Sequence, residues 1–285
     1  MTTNSTSPLA AQSSTHTIST FRLRRRTPGS FVLVPFAKGG RSIRCQGQLE
    51  AAAAVILANC PLVEGIQEQP LKIHYSWRNS TDPADVQLLD APPPPLRKKS
   101  SQCSYIVPDF LVTMTDGQKH LTEIKPSSKL CRPDVQRKLS VARRYAEQRG
   151  WSFHVVTEVE LRRGPLLSNQ RLLSRYRRLL VEPSLLTMLE ELVIAETSTI
   201  GKVIQESCRA TKQLDARATL LHLIANRRLD VDLLSTPISD QSVLSSEGSI
   251  SWEPFDSVWG PSGSWTDGPS ASSDNLAPTS SSRST

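Results

Sequence analysis

Residues 105–126, YIVPDFLVTMTDGQKHLTEIKP, predict two antiparallel strands and so commit this part of the chain to a sheet. Two apolar runs flank Asp116-Gly117, and an Asp-Gly pair in this context is a strong short-range signal for a β-hairpin. Three charged residues nevertheless lie within the hairpin: Asp109, Glu123 and Lys125. Because an unpaired charge is costly away from water, we expect these charges to serve one another or a bound ion.

The length of the hairpin loop decides which face of the sheet Asp109 occupies. A strict two-residue Asp-Gly loop places Asp109 opposite Ile124, on the face away from Glu123. A loop of odd length, or a bulge, pairs Asp109 with Glu123 or Lys125 instead. Glu123 and Lys125 are two residues apart on one strand and therefore project from the same face. A site that joins all three charges thus requires the odd-length loop or the bulge.

The regions around the hairpin predict an α/β domain in which helices pack on a sheet. Residues 46–59 favour a helix with Glu50 in its first turn and Pro61 just beyond its end. The Pro-rich residues 82–102 predict a loop between strands. The other predicted elements are a strand ending near Trp77, an amphipathic helix over 132–150 with Val135, Leu139, Ala142 and Ala146 on one face, and a strand within 151–161.

The remainder of the chain predicts a helical domain and two disordered ends. Periodicity after Arg163 is helical only, which predicts a small all-α domain over 164–235 after an α/β domain over 21–163. Its last helices and the following LDVDLL run favour a winged helix, and a plain helical bundle that docks a partner is the alternative. Residues 1–20 and the acidic, Ser/Pro-rich residues 236–285 predict disorder.

The charge distribution favours a polyanionic partner such as nucleic acid. The net charge is +7, but residues 236–285 hold six acids and one base, which leaves +12 on residues 1–235. The five cysteines show no CxxC spacing, which argues against a zinc knuckle or a disulfide framework. The chain shows neither a signal-peptide core nor the roughly 20 apolar residues of a membrane span, so we expect a cytoplasmic protein.

Four residues form the candidate catalytic set: Glu50, Asp109, Glu123 and Lys125. Converging carboxylates bind a hard divalent cation, which polarises a phosphate and lowers the pKa of a bound water. The structural alternative makes Asp109 a cap at the start of a strand and the other hairpin charges an exposed ion pair. Glu64 and Glu68 compete with Glu50 for the position of the third acid.

The order Pro108-Asp109, then Glu123-x-Lys125, preceded by helical Glu50, resembles the PD-(D/E)XK nuclease signature. From Glu50 to about Tyr176 the chain is more specifically similar to the TnsA-type endonuclease subunit of heteromeric transposases. The motifs that carry this resemblance are CPLVEGIQEQP, YIVPDF, EIKP, GWSFHVVTE and RRGPLLSNQRLLSRY.

The resemblance implies a restriction-endonuclease-like mixed sheet flanked by helices. It also implies a bacterial, Mg²⁺-dependent endonuclease, with Mn²⁺ able to substitute, that cleaves the 5′ strand of double-stranded DNA at transposon ends. The implied partners are a DDE-type integrase subunit and an AAA+ ATPase regulator. The implied metal ligands are Glu50, Asp109 and Glu123, and Lys125 is the implied catalytic lysine.

Further residues are candidates for binding DNA or a partner. The candidate DNA contacts are Gln69, Lys72, Arg137, Lys138, Arg143 and Arg144. Trp252, Phe255, Trp259 and Trp265 lie among acids near the C-terminus and predict either a docking motif or an inert tail. Two other functions remain open, a standalone PD-(D/E)XK nuclease and a catalytically silent transposition adaptor.

Overall fold

The computed structural model describes residues 31–78, 82, 85–92, 102–195, 198–211, 215–246 and 258–259. Within these residues, none of the helices is long and apolar enough to cross a membrane. The elements in chain order are β1 (Val32–Phe36), β2 (Arg41–Cys45), α1 (Gln48–Asn59), β3 (Val63–Glu68), β4 (Ile73–Trp77), β5 (Val86–Leu89), β6 (Cys103–Ile106), β7 (Phe110–Met114), β8 (Lys119–Ile124), α2 (Pro133–Glu147), β9 (Ser152–Val156), α3 (Glu158–Leu161), α4 (Leu166–Ser174), α5 (Pro183–Ala195), β10 (Ser198–Thr199), α6 (Ile200–Thr211), α7 (Ala216–Ala225), β11 (Asp230–Val231) and β12 (Val243–Ser245).

The predicted mixed sheet flanked by helices is confirmed. Four central strands lie in the order β3-β7-β8-β9. β7 is antiparallel to β3 and β8, whereas β9 is parallel to β8. A parallel return needs a crossover connection, and α2 supplies it between β8 and β9. A second sheet, β5-β4-β6, packs on α2.

The central sheet lies between two apolar layers. Phe110, Val112 and Ile124 face α1 and the helices after α3. Leu111 and Leu121 face α2 and the β5-β4-β6 sheet. This division follows the period of two along a strand, so the hairpin has no solvent-facing side over most of its length.

The helix α2 matches its sequence pattern closely. All four residues of its predicted apolar face are buried. The helix ends at Glu147, and Gly150 then takes a left-handed φ of 65°. Glycine adopts this conformation without steric cost, which allows the chain to turn directly into β9.

Two stretches differ from their predicted structure. β5 lies inside the Pro-rich segment that predicted a loop, and it pairs with β4 from Val86 to Leu89. Four residues beside prolines carry too short a pattern to indicate a strand, and the pairing with β4 is what stabilises them. Residues 93–101, which hold most of the proline run, lie outside the described residues.

The region after Arg163 contains strands as well as helices, in contrast to the predicted all-α domain. Three strands of two or three residues form a sheet in the order β10-β12-β11. Such short strands show no detectable periodicity. Two parts of the predicted disordered tail also belong to the fold, because β12 contributes fully buried Leu244, and Val258 and Trp259 are buried as well. Residues 1–20, 247–257 and 260–285 lie outside the described residues.

Candidate active site

The hairpin between β7 and β8 has a loop of three residues, Thr115 to Gly117. Phe110 pairs with Thr122, and the same register continues along both strands to the loop. Gly117 has a φ of 84°, as expected for the left-handed residue that closes a three-residue hairpin loop. The odd-length loop that a shared site requires is therefore confirmed.

This register brings the three hairpin charges together. Asp109 lies opposite Glu123 when the pairing is continued by one residue. The N–H of Ile124 donates to Asp109 Oδ2 at 2.7 Å and fixes the carboxylate. Lys125 Nζ lies 3.5 Å from Asp109 Oδ2 and 2.5 Å from Glu123 Oε1. All three side chains are largely buried, with 24% or less of each exposed.

Burial and mutual repulsion make the carboxyls of this site reluctant to ionise. Burial, together with the charge of Asp109, raises the pKa of Glu123 to about 8. Burial also raises the pKa of Asp109, against the opposing effect of Lys125. Although burial opposes it, the charges of both carboxylates raise the pKa of Lys125 above its ordinary value. The two neighbouring carboxylates therefore favour the ammonium form of Lys125.

Glu50 lies in the first turn of α1, where it has both a structural and an electrostatic role. Its Oε2 accepts a hydrogen bond from the N–H of Gln46 at 2.7 Å, which ties the carboxylate to the segment that precedes the helix. Burial and the charge of Asp109 raise the pKa of Glu50 to about 7. The pKa of the Cys45 thiol responds to the same carboxylates. Burial, followed by the charges of Glu50, Glu68 and Asp109, raises it to about 12.

The two competing acids are less suited to be the third acid of the site. Glu68 is paired with Arg41 at 2.8 Å, and the side chain of Arg41 also donates to the C=O of Ile66. Glu64 is exposed on β3. Glu50 thus remains the candidate that is both half-buried and electrostatically coupled to Asp109.

The donor set fits a hard divalent cation. Glu123 Oε2 is buried and has no hydrogen-bond partner in the described part of the chain. Three carboxylates against the single ammonium of Lys125 leave an excess of buried negative charge, which protons or a cation must offset. Across the described ranges, however, no three His, Cys, Asp or Glu side chains are already arranged as a ligand set. Lys125 Nζ occupies the space between two of the carboxylates, so ligation requires its displacement.

We predict that the metal-free protein loses stability as the pH rises from about 5 to about 8. The pKa values of Glu50 and Glu123 rise from 4.5 to about 7 and about 8 on folding. In this window the folded state binds more protons than the unfolded state, so the free energy of unfolding falls by up to about 1.4 kcal/mol per pH unit for each carboxyl. Thermal unfolding across this range measures the slope.

Two arms make this measurement specific. Glu123→Gln should flatten the slope, because it removes the group with the larger pKa shift. Added Mg²⁺ should raise the melting temperature more at about pH 8 than at about pH 5, because protons compete with the cation for the same oxygens. A melting temperature that is constant or rises over the window contradicts the prediction.

Gln69 lies beside the site and carries a strained backbone. Its φ is 48°, a left-handed value that is uncommon for a residue other than glycine. The N–H of Gln69 donates to the C=O of Asp109 at 2.9 Å, which ties the end of β3 to the start of the hairpin. Strained residues of this kind cluster at functional sites, so a role for Gln69 in binding DNA stays a prediction with support in its position.

The other candidate DNA contacts make contacts within the protein or lie exposed on its surface. The Arg137 guanidinium lies over the Trp77 ring at 5.2 Å, and Lys72 Nζ lies 5.3 Å from the Tyr105 ring centroid. Arg144 donates to the C=O of Val86 and so ties α2 to β5. Lys138 is exposed, and Arg143 is half-buried on α2. Their binding to DNA stays a prediction.

Sequence patterns did not indicate that the C-terminal segment reaches the nuclease strands. Trp259 Nε1 donates to Thr122 Oγ1 at 3.3 Å. Thr122 neighbours Glu123 on β8 but projects from the opposite face, so the indole contacts β8 on the face away from Glu123. The sequence signal was the cluster of aromatic residues among acids, which had predicted a docking motif or an inert tail.

Comparison with known proteins agrees with this geometry. Residues 60–158 match the family of TnsA-like endonuclease N-terminal domains. The matched segment contains Asp109, Glu123 and Lys125, whereas Glu50 precedes it. No curated protein matches the chain. The predicted TnsA-type resemblance is confirmed for this segment, which is similar to TnsA-like endonuclease N-terminal domains.

Proposed function

We propose that this protein is the metal-dependent DNA endonuclease subunit of a heteromeric transposase. In this role it cleaves the 5′ strand at transposon ends, in concert with a DDE-type integrase and under an AAA+ ATPase regulator, in the bacterial cytoplasm. The observation that carries the proposal is the three-residue loop, because it brings Asp109, Glu123 and Lys125 together within a TnsA-like domain.

The three carboxylates and Lys125 have different tasks in this proposal. Glu50, Asp109 and Glu123 would hold Mg²⁺, or Mn²⁺ in its place. Such an ion supplies polarisation of the scissile phosphate and a lower pKa for a water molecule. Lys125 stays protonated, so it donates hydrogen bonds to the attacking water or to the phosphate oxygens and offsets the charge that develops there. Displacement of its ammonium from between the two carboxylates frees it for this task.

The region after the nuclease domain supports a second binding unit. α5, α6 and α7 pack with the β10-β12-β11 sheet, and we propose that they form a winged helix that contacts DNA or a partner. We retain the division at residues 163 and 164. The second unit extends past residue 235 to β12 in this proposal, because β12 pairs with both β10 and β11.

A reconstituted cleavage assay tests this function. The substrate is a duplex with a transposon end, labelled on each strand in turn, and the protein is added alone or with integrase and ATPase. We expect 5′-strand cleavage that requires the integrase together with Mg²⁺ or Mn²⁺, and that EDTA abolishes.

The other outcomes separate the alternatives. Cleavage of unrelated duplex by the protein alone indicates a standalone nuclease. Cleavage at the transposon end that continues unchanged in Lys125→Ala and Asp109→Ala variants of the reconstituted reaction indicates a silent adaptor. Each of these results contradicts the proposed function.

A further inference from the structure

A surface cavity beside α4 gathers three arginines. Its volume is about 420 Å³, and Arg162, Arg171 and Arg175 line it together with apolar Leu167 and Leu172. No acidic residue lines the cavity. Within the described part of the chain, none of the three guanidinium groups makes an ion pair.

This arrangement of charge favours an anionic ligand. Arg171 lies in the last turn of α4 and Arg175 directly follows its last residue, so two like charges four positions apart are neighbours there. The two acids nearest to Arg162 in sequence already have partners. Glu160 accepts hydrogen bonds from the N–H and the hydroxyl of Thr157. Glu158 accepts from Ser127, and these hydrogen bonds, with a smaller effect from the charge of Arg162, lower its pKa. An ion with several acceptor oxygens would offset the repulsion, and the planar fork of arginine matches phosphate.

The chain places Arg162 near the catalytic lysine. The N–H of Lys125 donates to the C=O of Val156 at 3.0 Å, where β8 and β9 end side by side. α3 begins two residues later, and Arg162 follows its last residue. The short helix α3, with a rise of about 1.5 Å per residue, therefore separates Arg162 from the ends of β8 and β9 by roughly 10–15 Å. A DNA strand advances about 3.4 Å per nucleotide, so this distance corresponds to about three or four nucleotides.

Arg171 also lies beside α1, the helix that carries Glu50. It lines another cavity, of about 340 Å³, together with Gln48 and Ala51 of α1. These two residues are close to Glu50 in sequence, although they project from a different face of the helix. The side chain of Asn59 also donates to Ser174 Oγ at 2.9 Å, which fixes α4 against α1. The arginine cavity is therefore held rigidly beside the helix that carries Glu50.

We propose that Arg162, Arg171 and Arg175 bind a backbone phosphate of the DNA strand, a few nucleotides from the bond that is cleaved. This assignment rests on the proposed function. It makes the three arginines positioning residues, which hold the strand in register while Lys125 and the carboxylates act on the scissile phosphate.

Fluorescence anisotropy of a labelled duplex in EDTA tests the proposal without cleavage. The variant Arg171→Gln/Arg175→Gln should bind the duplex about 10-fold or more weakly and reduce the slope of log affinity against log salt by about 1. The matched control is Arg163→Gln/Arg178→Gln, which removes the same charge from exposed positions that do not line the cavity. The control should lose clearly less affinity.

The remaining outcomes distinguish a DNA phosphate from a free phosphate ion, and they separate this proposal from the proposed function. Equal losses in the two double variants, or no loss in the first, would overturn the assignment. A higher melting temperature of the native protein in inorganic phosphate, together with unchanged duplex affinity of Arg171→Gln/Arg175→Gln, would indicate a site for free anions. This result would also overturn the assignment. Binding is read in EDTA, so failure of the wild-type protein to cleave DNA counts against the proposed function only.

Discussion

Replacing Lys125 with alanine should lower the rate of 5′-strand cleavage by about 10²- to 10³-fold, which is the effect of removing one donor that stabilises charge developing in a transition state. Lys125 Nζ is the ammonium that contacts both hairpin carboxylates. Its raised pKa keeps it charged throughout the working pH range. The measurement is single-turnover cleavage in the reconstituted reaction.

Two controls separate chemistry from folding. Removing Lys125 leaves two buried carboxylates without their cation, which can destabilise the protein, so the melting temperature must be measured with Mg²⁺ present. Lys129→Ala removes an ammonium four residues later, from an exposed position, and should cleave normally. Asp109→Asn offers an independent test, because it keeps the shape of the side chain and should also abolish most cleavage. Wild-type rates in both Lys125→Ala and Asp109→Asn would favour the silent adaptor.

Trp259→Ala should destabilise the protein by about 3–5 kcal/mol, the range for removing a large aromatic side chain from a core. Only 2% of Trp259 is exposed, and the adjacent Val258 is fully buried. The indole also donates to the Thr122 hydroxyl on β8. Denaturant unfolding of the full chain measures the change as a shift in the transition midpoint at constant slope.

An exposed residue of the same C-terminal region supplies the control. Val243→Ala also removes an apolar side chain, but 54% of Val243 is exposed, so stability should change by less than about 1 kcal/mol. Thr122→Val should cost about 1 kcal/mol, because it removes one hydrogen bond and keeps the packing volume. A Trp259→Ala effect no larger than that of Val243→Ala would contradict the prediction.

The sequence predicted the central elements because their patterns are long. The face of α2, the position of Glu50 in the first turn of α1 and the order of the main strands all follow from periodicity and stop signals. The register of the hairpin could not be predicted from these patterns. An Asp-Gly pair suits loops of two or three residues, and only the pairing of whole strands decides between them. The sequence therefore showed that a site containing Asp109 requires an odd-length loop or a bulge, but not that the loop has three residues.

The features that the sequence missed depend on contacts between distant parts of the chain. β5, β10 and β12 have two to four residues each, too few for an alternating pattern, and pairing with a neighbour is what defines them. β11, by contrast, lies within the LDVDLL run from which the sequence favoured a wing. Trp259 meets Thr122 across 137 positions of sequence. The arginine cavity likewise joins α3 and α4, and a run of basic residues in sequence does not show which of them share a concave surface.

The loop from Thr115 to Gly117 imposes an unusual rule on how this gene can vary. Exposed hairpin tips normally accept insertions and deletions, and all three residues of this loop are exposed. Loss of a single codon here would shift the strand pairing by one and turn Asp109 toward the apolar layer that holds Phe110 and Ile124. Loss or gain of two codons leaves Asp109 on the same face of the sheet as Glu123. Active sequences should therefore differ in the length of this tip by even numbers, while the residues within it drift freely apart from the left-handed glycine.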